Sequence, residues 1–153
     1  MSTKTSIQDG LATRLGTIKT ANGYTTNVSK IYVDTIPMGL DLETWELPAI
    51  LVISDDDDPE IKQQCLHGHW KVELQLWHNL VADSVMHQFV RDVYKAIYAD
   101  SPTAKRNDGF RGLHTSVFNM LPLSIESDLN MIDANRCYVC TFQIDYSANL
   151  YDL

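Results

Sequence analysis

Residues Trp70 to Asp100 constrain the fold of this chain more than any other stretch. In Trp70-Lys71-Val72-Glu73-Leu74-Gln75-Leu76-Trp77-His78, the apolar Val72, Leu74 and Leu76 alternate with Lys71, Glu73 and Gln75. Period two over this length specifies a strand with one buried face. After a short turn, Asp83 or Ser84 is placed to cap a helix carrying Val85, Met86, Phe89, Val90, Val93, Tyr94, Ile97 and Tyr98. Those positions recur at i, i+3 and i+4, so they form one broad apolar stripe. Neither element can bury its apolar side alone, so each needs the other or a partner sheet. The minimal consequence is an α+β domain.

The chain has 153 residues, which predicts one domain over 1–153, with flexible ends at 1–5 and 148–153. No apolar run approaches the roughly 18 residues that cross a bilayer. Met1-Ser2-Thr3-Lys4-Thr5 has no apolar segment of the kind a secretion signal carries, so synthesis in the cytosol and no membrane association are expected. A formal charge of -8 argues against nucleic acid as a primary ligand, because phosphate binding needs a basic surface. Cys65, Cys137 and Cys140 are too few for a disulfide framework.

Ser6 to Ile18 reads as a first helix, with Ile7, Leu11, Leu15 and Ile18 on a narrow stripe. Gly10 and Gly16 lower its intrinsic propensity, each by about 1 kcal/mol relative to Ala in a helix interior, so it must dock on something. Asn22-Gly23 is a turn signal. Asn27 to Thr35 reads as a strand through Val28, Ile31, Tyr32 and Val33. Pro37 to Pro48 reads as a connecting loop, and Ala49 to Ser54 as a buried strand. Asp55-Asp56-Asp57-Asp58 then reads as a solvated acidic loop, since four like charges repel. A loop or hairpin arm follows up to His69. Beyond the long helix, Ser101 to Gly112 reads as a mobile polar loop and Leu113 to Leu121 as a strand. Ser124 to Asp133 has no clear pattern. Arg136 to Tyr146 is a strand in which Tyr138, Cys140, Phe142, Ile144 and Tyr146 share one face. The order is helix, two strands, strand, helix, two strands.

Two constellations invite metal chemistry. Cys65, His67, His69, Cys137 and Cys140 are the ligand types of tetrahedral zinc, the basis of an alternative reading as a small zinc-binding regulatory domain. The Cys137/Cys140 pair, however, lies inside a period-two strand, where residues three apart point to opposite faces. Cys140 is expected in the core beside Phe142, with Cys137 facing away, so no metal site is assigned. The aspartate run lacks the spaced ligands and closing Glu of a calcium loop, and a solvated segment is expected instead. Its charge would also repel a negatively charged neighbour such as DNA. His78, His87 and His114 are scattered, with His87 expected at the surface. No nucleophile–base motif or phosphate-cradling glycine loop is present, so neither enzyme chemistry nor a cofactor is expected. Trp45, Trp70 and Trp77 are candidate subunit contacts, because aromatic residues concentrate where proteins meet. For Trp77 two covers stand open, the first helix or a neighbouring subunit.

The succession of segments resembles the tail terminator proteins of long-tailed, siphovirus-type bacteriophages. The matching stretches are Ile18-Lys19-Thr20-Ala21-Asn22-Gly23-Tyr24 after the first helix, the Leu47-Pro48-Ala49-Ile50-Leu51-Val52 strand, and the acidic segment. They continue with the alternating strand, the helix around Asp92 to Ile97, and the final Gln143-Ile144-Asp145-Tyr146. The likeness spans roughly residues 7 to 147 and carries no catalytic signature. It implies an α+β fold: a mainly antiparallel sheet of about four to five strands, with an N-terminal and a central helix packed on it. It further implies a homohexameric ring, assembled in the host cytoplasm and located in the virion at the neck. The ring caps the tail tube, ends its polymerisation and presents the surface for head–tail joining. Its partners are then the major tail tube protein and a head-completion or neck protein, with DNA passing through without specific binding. Another neck or tail-completion component is the neighbouring alternative. On this reading Asp55, Asp56, Asp57 and Asp58 are expected to line the lumen or a rim.

Overall fold

The computed structural model describes residues 2–34, 46–79, 81–99, 110–127 and 135–151. Trp45, residues 37–45 of the expected connecting loop, and residues 101–109 of the expected polar loop lie outside the described residues. Among the described residues two α-helices, α1 (Thr3–Gly16) and α2 (Asp83–Tyr98), accompany six strands: β1 (Lys30–Val33), β2 (Ala49–Asp57), β3 (Glu60–Lys62), β4 (Cys65–His78), β5 (Val117–Ser127) and β6 (Arg136–Asn149). They form one sheet in the order β1-β2-β4-β6-β5, with β3 added alongside β4. Among the described residues every pairing is antiparallel except β1 with β2. The fold is therefore the expected α+β arrangement, with one strand more than the upper expectation.

The sheet is built outward from β4 and β6, paired over fourteen residues each from Cys65 opposite Asn149 to His78 opposite Arg136. Side chains alternate across a strand. Trp70, Val72, Leu74 and Leu76 of β4 and Tyr138, Cys140, Phe142, Ile144 and Tyr146 of β6 thus share one face and are buried there. Both helices cover that face. α1 contributes Ile7, Leu11 and Leu15, with Ile18 just beyond its end, and α2 contributes Met86, Phe89, Val90, Val93, Ala96 and Ile97. Each large apolar side chain so buried is worth at most about 1.5–3 kcal/mol.

Two polar nodes fix how the helices sit. Asp92 of α2, 4% exposed, accepts from the Thr25 N–H, the Thr25 hydroxyl and the Thr26 N–H, pinning the segment before β1 to the helix. Gln8 of α1 donates to Asp34 Oδ2 and to the Ser54 hydroxyl, while Asp34 Oδ1 accepts the Ser54 N–H. Asp34 adopts a left-handed conformation that its short side chain tolerates, and β1 ends there. The structure differs from expectation at one helix start. Ala82, without a side-chain cap, precedes α2, and Asp83 is instead paired with Arg136 at 2.5 Å.

Candidate functional site

The aspartate run is not a loop. β2 continues through Asp55 and Asp56 to Asp57, and only Asp58 and Pro59 form the connection to β3. Asp is unfavourable in strands on average, but the preference is small and pairing with β4 overrides it. Between Ser54, opposite Val72, and Asp57, opposite Trp70, β2 holds one residue more than β4. Such a bulge turns the following residues over. It brings Asp57 to the helix face, where Asp57 Oδ2 accepts from the Tyr146 hydroxyl at 2.5 Å and pairs with Lys4 at 2.7 Å. Lys4 also lies over the Trp70 ring, 5.4 Å from its centroid. Burial together with the Asp57 carboxylate pushes the Tyr146 hydroxyl pKa well up. The Tyr146 ring occupies the space a side chain on Gly68 would need, since a Cβ there would lie 2.2 Å from the ring. Asp55, Asp56 and Asp58 remain exposed.

The face opposite the helices, called here the open face, is polar along most of its length. A shallow cavity at the acidic end of the sheet is lined by Asp56, Asp57, Asp58, His69, Lys71 and Gln143. His69 and Asp145 face each other across β4 and β6, with Nδ1 2.7 Å from Oδ1, and Gln143 donates to the same oxygen. The hydrogen bond to Asp145 raises the His69 pKa, with burial opposing it and the charge of Asp145 adding to it. At the opposite end of β4, burial lowers the pKa of His78, whose ring lies edge-on to Phe89.

The tryptophans are placed by the sheet. Trp70 is 1% exposed, edge-on to Tyr146 in the main core. Trp77 is 4% exposed on the open face, in a second, small cluster with Leu51, Cys137 and Val139, bordered by Tyr32, Leu47 and Ile53. The first helix does not cover it, because both helices lie on the other side. Its ring N–H donates to Gln75 within the same strand. Neither Trp70 nor Trp77 offers an exposed ring in the single chain. Trp45 lies outside the described residues.

The five candidate zinc ligands do not come together. Cys65, His67 and His69 alternate along one end of β4, whereas Cys137 pairs with Trp77 at the other end. Cys140 is fully buried on the helix face, where burial pushes its thiol up to about 12. Among the described residues no three His, Cys, Asp or Glu side chains are grouped to hold a metal ion. Of the expected strands, β5 differs most. It extends through Ser127 and leaves Phe118, Leu121, Leu123 and Ile125 exposed at 40–56%. Sequence reasoning missed this strip, because Pro122 and two bulges break the alternation that would have marked it as a strand.

No family model and no curated protein matches the sequence. Among solved structures, a chain from the virion of a native gene transfer agent particle is similar. Its TM-score is 0.52 at 12% sequence identity, over 96% of this chain and 96% of that one. At this identity the likeness is one of fold. It extends over nearly the whole of both chains.

Proposed function

We propose that this chain is a structural virion protein that forms a ring capping the tail tube, ends tube polymerisation and provides the surface for head–tail joining. The observation that carries the reading is the fold likeness to a virion chain over 96% of each partner, and the ordered succession of tail terminator-like segments agrees with it. Its partners on this reading are further copies of itself, the major tail tube protein and a head-completion protein. DNA passes through without specific binding, which suits a chain of net charge -8. The role is assembly rather than catalysis, and its location is the neck of the tail.

Exposed Asp55, Asp56 and Asp58 are the aspartates free to line a lumen or rim, while Asp57 holds Lys4 and Tyr146. The test is deletion of the gene in the particle that carries it, followed by electron microscopy. Overlong or unjoined tails are expected, and tails of normal length joined to heads would exclude termination. Imaging of the assembled ring also decides the aspartates, since a position on its outer circumference removes their lumenal role.

A further inference from the structure

We propose that two unassembled copies of this chain pair through β5, strip against strip about a two-fold axis near Leu123, and that the pair hides this strip until assembly. The inference goes beyond the ring reading above. A two-fold contact uses the same patch on both copies and closes on itself, so it is a form of the unassembled chain and not the contact that makes a ring.

The first observation is the strip itself. β5 leaves Phe118, Leu121, Leu123 and Ile125 exposed at 40–56%. Residues 121–127 are exposed without a break, so no described part of the chain covers the outer side of β5. Leu121 sits opposite Gln143 on the open face and Ile125 opposite Cys140 on the helix side. A partner resting on one face reaches only half of the strip, whereas one lying alongside β5 reaches both. Phe118 and residues 121–127 present on the order of 600 Å² per copy, and a pair then buries about 1,200 Å², the lower limit for a stable specific interface.

The second observation is where apolar surface lies on the rest of the chain. Among the described residues the other exposed large apolar side chains, Ile61, Leu150 and Tyr151, gather at the end of the sheet where β5 begins. Exposed apolar surface is thus confined to β5 and the sheet end adjoining it, with β5 its longest part. For a copy of this chain, the strip that fits β5 is its own β5. Charge agrees. Glu126 is the only charged residue of β5 in a chain of net charge -8, so two copies repel least where these strips approach. An antiparallel arrangement about Leu123 leaves the two Glu126 carboxylates roughly 20 Å apart along the strands, well beyond the screening length of about 8 Å at physiological salt. A parallel arrangement would set them side by side.

Side chains rather than a continuous backbone ladder make this contact. Pro122 lacks an N–H, and two bulges interrupt β5. These features blunt an edge against indiscriminate strand addition. The pair is therefore held by side-chain burial, which an assembly partner can take over.

The test combines sedimentation of the full chain with oxidative cross-linking. The native chain should pass from monomer to dimer as concentration rises, with nothing larger. Leu123→Glu with Ile125→Glu should weaken pairing at least about tenfold, as when central interface side chains are lost. Leu123→Ser serves as a milder variant if the double substitution fails to fold, with thermal unfolding as the check. In a Cys65→Ser background, where the two remaining cysteines are buried, Leu123→Cys should cross-link to its own copy and Glu126→Cys should not. A native chain that stays monomeric up to millimolar concentration overturns the proposal, as does a β5 variant that pairs like the native chain. Cross-linking through Glu126→Cys as fast as through Leu123→Cys overturns the two-fold arrangement. Native species larger than a dimer that the β5 variant loses also overturn it, because β5 then serves a ring contact. That last outcome would support the ring reading, which in every other case is decided separately by the gene deletion.

Discussion

Asp57 shows how one inserted residue redirects a charge. Of four consecutive aspartates it alone turns to the helix face, because the bulge in β2 shifts it opposite Trp70, beside Lys4 and the Tyr146 hydroxyl. Nothing in a run of identical residues distinguishes the third from its neighbours. The histidines divide by environment in the same way. His69 has a raised pKa through Asp145, so its contribution to stability is complete below the ordinary value of 6.5 and is lost as pH rises through the folded value. His78 has a lowered pKa through burial, so its neutral form favours the fold above 6.5 and the benefit is lost as pH falls through the folded value. The two oppose one another on acidification. Urea midpoints measured at about pH 8 and about pH 5.5 should fall more steeply on acidification in His69→Asn than in the native chain, and less steeply in His78→Leu. Equal slopes in all three would remove both assignments.

At the scale of elements, α1 illustrates how far propensity reaches. Both of its glycines weaken an isolated helix, which the sequence states correctly. Packing gives them opposite meanings. A Cβ on Gly10 would lie 2.2 Å from the carbonyl oxygen of Leu113, whereas a Cβ on Gly16 meets nothing within 4 Å. Gly10→Ala therefore gains at most about 1 kcal/mol of helix propensity and loses more to backbone displacement, for a net loss of about 1–2 kcal/mol. Gly16→Ala, in the last helical turn, should gain a few tenths of a kcal/mol up to about 1. Thermal unfolding of the two variants should move in opposite directions, and a shared sign would contradict the packing of α1 against residues 110–114. The central elements were legible from period alone, since Val72, Leu74 and Leu76 of β4 and Met86, Phe89, Val90, Val93 and Ile97 of α2 are buried as their stripes predict, although the buried Asp92 and Ala96 lie outside the α2 stripe. Their limits were less so. β4 begins at Cys65 rather than Trp70 because His67 and His69 lie on the open face, where polar side chains cost nothing.

For the molecule as a whole, the charge of -8 and the apolar β5 edge pull in opposite directions on self-association. Screening weakens the repulsion between acidic copies while leaving apolar burial intact. On the proposed ring reading, self-association is thus expected to strengthen when salt rises from about 50 mM to about 500 mM, where the Debye length falls to a few ångströms. Sedimentation at the two salt levels checks this, and weaker association at high salt would mean that ion pairs rather than apolar burial dominate any self-association.

The strand and helix from Trp70 to Asp100 were settled by sequence, because a period of two or 3.6 in apolar residues has few solutions once one face must leave water. The fate of Trp77 was not. It stands at an odd position of β4, and the sequence allowed either the first helix or another subunit to cover it. The fold put both helices on the even side and gave Trp77 a cluster of its own with Leu51, Cys137 and Val139. The exposed apolar edge likewise emerged only from the strand order, because whether a strand is central or terminal depends on pairings between residues far apart in the chain. Local periodicity reports which face of an element is apolar. Only the assembled sheet decides what stands against it.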